Sequence, residues 1–145
     1  MGEVRTIHFT VNVIPRGKQR ARTVLRGRNV HSYTPKETVE FERAVAWACR
    51  SACKGQELPV FGGAVSVEII AKFAPPNSAG KKLREQMLCG QIFPTKVPDA
   101  DNIAKSVLDA IQGICFKNDS AVVNLTVCKR YSSADGIEIC VRDLC

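Results

Sequence analysis

The chain has 145 residues, 45% of them hydrophobic, and a formal net charge of +7. That length reads as one domain and buries roughly 68–70% of its unfolded surface, enough for a core without staples. No run of about 18 apolar residues occurs, and MGEVRTIHFTVNV is too polar for a signal peptide, so no membrane span and a cytoplasmic protein are expected. The charge is uneven: residues 1–54 hold eleven basic and four acidic side chains, the whole of the excess. An anionic partner follows, nucleic acid first, an acidic protein or membrane surface second.

From Arg5 to Ile14 apolar residues alternate, with Ile7, Phe9, Val11 and Val13 on one face, which predicts a half-buried strand. His8 falls on its polar face as a surface residue, and Pro15 ends it. Residues 16–28 then form a basic loop carrying Arg16, Lys18, Arg20, Arg22, Arg26 and Arg28, an arm of two limbs around Thr23 to Leu25. The bland reading is a solvated loop. The reading favoured by the charge imbalance is contact with the phosphate backbone, which positions DNA without reading its sequence. Thr34-Pro35-x-Glu37 predicts a helix start, with threonine as the cap and proline in the first position. That helix runs to about Ala52 on a stripe of Phe41, Ala44, Val45 and Ala48; Trp47 lies off the stripe's centre, and core packing is expected of it ahead of a subunit contact.

Ala64 to Phe73 predicts the next strand, its inward residues Val65, Val67, Ile69, Ala71 and Phe73. Residues 75–97 read as a mobile insert with helix-forming composition over 81–88, and Lys96 near its end is placed for a phosphate. Val97-Pro98 disfavours helix before the next stretch, PDADNIAKSVLDAIQGICFKNDSAVVN. Asp99 can cap a helix there, with Asp101 in its first turn. On a 3.6-residue repeat Ile103, Val107, Ala110, Ile111 and Ile114 gather on one side, and Asp101, Lys105 and Asp109 on the other. Lys117 to Ser120 is a turn, and Ala121 to Tyr131 a strand with Val123, Leu125 and Val127 on one face. Ser132 to Gly136 has hairpin chemistry, so Ile137, Ile139 and Val141 are expected on a partnering final strand.

Asp99, Asp101 and Asp119, if brought together, repel one another unless a cation joins them. Oxygen-only ligation suits Mg2+, which polarises a phosphoryl oxygen and activates water, and Lys105 adds fixed positive charge. The ordinary alternative is also open: aspartates at a helix start complement its dipole, and Asp119 is a common turn residue.

The block PDADNIAKSVLDAI…FKNDSAVVNLTVCKRY closely resembles the RusA family of Holliday-junction resolvases, with its D-x-D-N-x-x-K helix start and later D-x-x-V-V turn into a strand. The resemblance is strong over Thr95 to Tyr131, weaker in PRGKQRART and YTPKETVEFERAV, and poor from Asn77 to Ile92. Asn124 departs from it, since relatives often carry aspartate there. It implies catalytic acids at Asp99, Asp101 and Asp119, also the metal ligands, an active-site lysine at Lys105, and supporting residues at Asn102 and Asp109. It further implies a homodimeric endonuclease, dependent on Mg2+ with Mn2+ as a substitute, that resolves four-way DNA junctions by paired nicks. A catalytically silent DNA-binding module, or a nuclease for other branched DNA, are the alternatives.

Seven cysteines occur with no C-x-x-C pair, so reduced thiols are expected and a zinc site is disfavoured, one built from scattered ligands staying open as the minor alternative. The fold class expected is α+β: one domain over residues 1–145, a mixed sheet with two main helices packed on it.

Overall fold

Alternating apolar residues build a sheet, and the apolar stripes of two helices cover one of its faces. The computed structural model describes residues 5–18, 22–33 and 35–144; within 22–33 it describes only the side chains of Leu25 and Arg28. The elements in order are β1 (Thr6–Val11), β2 (Arg22–Arg26), β3 (Asn29–Tyr33), α1 (Lys36–Ala52), β4 (Val65–Phe73), α2 (Lys81–Leu88), α3 (Ala100–Ile111), a 3-10 turn Asp119–Ala121, β5 (Val122–Tyr131) and β6 (Gly136–Asp143). The main sheet has the order β1-β6-β4-β5. β4 pairs parallel with β5, while β6 runs antiparallel to both β1 and β4. This is the mixed-sheet α+β architecture.

Parallel neighbours need a long crossover. The segment carrying α2 and α3 supplies it, and it lays α3 beside α1 on the sheet. The core is formed there, from Ile7, Phe9, Val67, Ile69, Ile139 and Val141 of the strands against Phe41, Val45, Ile103, Val107 and Ile111 of the helices, all buried. The opposite sheet face carries charge. His8 Nε2 lies 2.7 Å from Glu138 Oε1, and Lys72 Nζ 3.2 Å from Glu138 Oε2. The hydrogen bond from His8, then that from Lys72, holds the Glu138 carboxyl below its ordinary value of 4.5.

Several expectations change. Ser132 to Gly136 is not a hairpin turn: β4 lies between β5 and β6. The turn crosses the end of β4, where the Ser132 N–H donates to Phe73 O at 2.9 Å and the Ala74 N–H to Asp135 Oδ1 at 2.9 Å. A five-residue turn is compatible with either path, and the strongly apolar β4 takes the central place because it buries alternate residues completely. Trp47 is 74% exposed rather than in the core. It stands roughly 200° around α1 from buried Val45, on the far side of the helix. The expected apolar face of β5 is largely open, with Val123 and Leu125 exposed. β5 is an edge strand, and a register shift pairs Val65 with Val122 but Ser66 with Asn124, leaving Val123 as the bulged residue. Finally, the basic arm is strand on both limbs rather than loop: β2 and β3 pair antiparallel, turning at Gly27 (φ 62°) and Arg28. Thr34, expected to cap α1, lies outside the described residues; Pro35 holds the cap position, one before that expected.

Candidate active site

The acidic motif begins at a sharp helix boundary. The Val97–Pro98 peptide is cis, and Asp99 follows in extended geometry (φ −70°, ψ 150°) at the N-cap position of α3. Its backbone starts the helix, Asp99 O accepting from the Ile103 N–H at 3.0 Å. Its side chain makes no capping hydrogen bond, contrary to the expected role. Asp101 stands in the first turn, its Oδ1 accepting from the Asn102 N–H at 3.0 Å. Both carboxylates are exposed. The reason is the α3 stripe: Ile103, Val107, Ala110, Ile111 and Ile114 are all buried, which turns the acidic side outward. Lys105 also faces out, 3.8 Å from Asp109 Oδ1.

The first part of the basic segment is bonded across this helix. The Lys18 N–H donates to Asn102 O at 2.8 Å, and the Ser106 hydroxyl, fully buried, donates to Arg16 O at 2.8 Å. Gly17 sits between these two bonds, so close that a Cβ on it would lie 2.9 Å from Asn102 Cβ and 3.0 Å from Pro98 Cβ. Lys18 Nζ reaches Glu42 on α1 at 2.7 Å and Asp109 on α3 at 3.2 Å. Burial alone would lower the Lys18 pKa; the hydrogen bonds to the two carboxylates outweigh it and raise the pKa above 10.5. A groove of about 370 Å³ remains between segment and helix, lined by Pro15, Arg16, Gly17, Lys18, Val97, Pro98, Asp99 and Asn102. It has an exposed carboxylate on one wall and the exposed side chain of Arg16 on the other.

Asp119 opens the 3-10 turn before β5 and is exposed. The three acids do not close into a tight group: their oxygens are not all within 4.8 Å of one another, a spread consistent with mutual repulsion. As a donor set they offer oxygen alone, in the solvent-accessible setting that a hard, partly hydrated cation requires. Lys96 is exposed, and its backbone carbonyl accepts from Lys129 Nζ on β5. Arg28 is exposed at the hairpin turn. Arg22 and Arg26 stand at the two ends of β2, but their side chains, and all of Arg20, lie outside the described residues.

Three residues that hold this arrangement together were not expected from the sequence. The sequence assigned none of the three a role: Gly17 falls within the basic loop, and Ser106 and Glu42 on the two helices. The only advance signal was that Ser106 lies beside the buried stripe.

A family model described as Endodeoxyribonuclease RusA matches residues 12–142. The protein YqaN of Bacillus subtilis (strain 168), described as uncharacterized, is 33% identical over 140 residues, 95% of this chain and 96% of its own. The matched stretch takes in the groove, both helix-start acids, Lys105 and Asp119.

Proposed function

Because the chain belongs to the RusA endodeoxyribonuclease family, we propose that it cuts four-way DNA junctions at the groove between Arg16–Lys18 and the start of α3. The observation that carries this reading is the clamp itself. Two hydrogen bonds fix a basic segment against the helix that presents Asp99 and Asp101. Substrate phosphates and the acids are thereby brought to one place by one element.

Asp99, Asp101 and Asp119 are assigned to a divalent cation, Mg2+ or Mn2+. When bound, that cation supplies Lewis-acid polarisation of a phosphoryl oxygen and a more acidic attacking water. The chain's own groups do the rest. Lys105, held only loosely at 3.8 Å by Asp109, turns to the phosphate or the leaving oxygen and offsets the charge that develops there. Asp109 and Asn102 support it, the first by pairing with both lysines, the second by anchoring Lys18 through its carbonyl. Lys18 is itself occupied by two carboxylates, so backbone contact with DNA falls mainly to Arg16, Arg28, Lys96 and the arm residues Arg20, Arg22 and Arg26. A junction has two-fold symmetry, and a two-fold homodimer presents one such site to each of the two strands cut, leaving paired nicks with 5′-phosphate and 3′-hydroxyl ends.

The test is cleavage of four-way, three-way and linear DNA at one salt concentration, with and without Mg2+. Four-way DNA should be cut, and only with the metal. Asp101→Asn should abolish cutting while junction binding persists. Robust nicking by that variant in Mg2+ removes the mechanism. Tight binding with no cleavage by the unaltered protein at any metal concentration leaves only a DNA-binding module.

A further inference from the structure

Three buried thiols meet at the far end of α3 from the acids. Cys49 lies in the last turn of α1, Cys53 is that helix's C-cap residue, and Cys115 follows α3. Their sulfurs all lie within 4.8 Å of one another, with Cys49 Sγ and Cys115 Sγ 3.2 Å apart. Their exposures are 0%, 2% and 0%. Each is held by rigid backbone. The Cys53 N–H donates to Cys49 O at 3.0 Å, and the Cys115 N–H to Ile111 O at 3.1 Å. The Phe61 N–H donates to Cys115 O at 2.9 Å, so the third cysteine is fixed from both sides.

We propose that Cys49, Cys53 and Cys115 form a structural site for one thiophilic closed-shell cation of the Zn2+ type, bound as thiolates. The spacing fits. Metal–sulfur bonds of about 2.3 Å in tetrahedral geometry place sulfurs about 3.8 Å apart. The separations here, 3.2 Å between Cys49 and Cys115 and within 4.8 Å throughout, are compatible with that value, so small side-chain rotations suffice. Three thiolates around a divalent ion leave one negative charge, and the Arg5 guanidinium lies 5.4 Å over the ring of Phe61, whose N–H donates to Cys115 O.

The absence of C-x-x-C had pointed away from zinc, because the third ligand reaches the pair only through the packing of α1 against the end of α3. The site is chemically and spatially separate from the acids. Soft sulfur selects ions that oxygen donors hold poorly, and the twelve residues of α3 put about 18 Å between the two ends. Its effect is to fasten the end of α1 to the segment after α3.

The full-length chain, reduced and stripped with chelator, is titrated with Zn2+ against a chromogenic competitor, and separately with Cd2+ while thiolate-to-metal absorption is followed. One ion per chain, a three-thiolate Cd2+ signal and a rise in Tm on loading are expected. Cys53→Ser and Cys115→Ser should weaken binding by more than the roughly 10- to 100-fold that loss of a merely orienting partner costs. Cys89→Ser, at an exposed thiol outside the cluster, should leave it intact. Should Cys115→Ser fail to fold, the Zn2+ stoichiometry and the three-thiolate Cd2+ absorption of the unaltered protein decide the matter. Asp101→Asn must bind Zn2+ normally, so failure of the nuclease reading leaves this one standing. Absence of stoichiometric binding to the folded protein, or binding unchanged in Cys53→Ser, overturns it.

Discussion

Replacing Gly17 by alanine tests whether the basic segment is truly fixed by close approach. The new methyl would meet Asn102 Cβ at 2.9 Å and Pro98 Cβ at 3.0 Å. Carbon atoms prefer about 3.5–4.0 Å, so the segment must lift by about half an ångström or more. Overpacking of this kind costs about 1–3 kcal/mol, and alanine's smaller unfolded-state entropy offsets about 0.4–1 of it. A net loss of about 1–2 kcal/mol corresponds to a Tm lowered by about 2–8 °C for a chain of this size. The lift also strains the Lys18 to Asn102 hydrogen bond of 2.8 Å, and with it the placement of Arg16 across the groove from Asp99. Thermal melting and junction cleavage are both measured, with Gly62→Ala as the control, because a Cβ there meets nothing within 4 Å and no positive φ is involved. The control should melt at or slightly above the parent. If Gly17→Ala melts and cuts as the parent does, the clamp is not what organises this groove.

Ser106→Ala deletes the buried hydroxyl that donates to Arg16 O and also lies within reach of Ile103 O, so stability should fall by about 1–3 kcal/mol in denaturant titration, with cleavage reduced alongside. Glu138→Gln probes the outer sheet face. The folded carboxyl titrates below its ordinary value of 4.5, so its stabilising contribution is present above that pH and is lost as pH falls through the lower folded value. The acid limb of a Tm–pH profile should therefore flatten below pH 4.5 in the variant, and an unchanged limb would count against the His8–Glu138–Lys72 network. Arg16→Ala should weaken junction binding evenly across DNA sequences and make it less salt-dependent by about 0.9 in the log–log slope, because one phosphate fewer is neutralised. A change confined to one DNA sequence would contradict a backbone role.

The strands β1, β4 and β6 and the helices α1 and α3 were legible because each buries a single face at its own period, and that period is written in consecutive residues. The ordered motif marked Asp99, Asp101, Lys105 and Asp119 as candidates, since a helix start and a turn are local events. Trp47 was misjudged because a large aromatic beside a stripe reads as core until the packing defines where the stripe ends. The order of β5, β4 and β6 was not local at all. It depended on which strand could be covered on both edges, a competition among segments far apart in the chain.

What the linear order of residues determined was which faces must be buried, where the helices begin, and which side chains carry charge and oxygen donors. Only the folded chain decided that Gly17 presses on α3, that Lys18 bridges α1 and α3, and that Cys115 meets Cys49 and Cys53. Local patterns arise from neighbours one turn or one pleat apart, whereas these meetings depend on how the covered sheet face lets two helices and a loop approach one another.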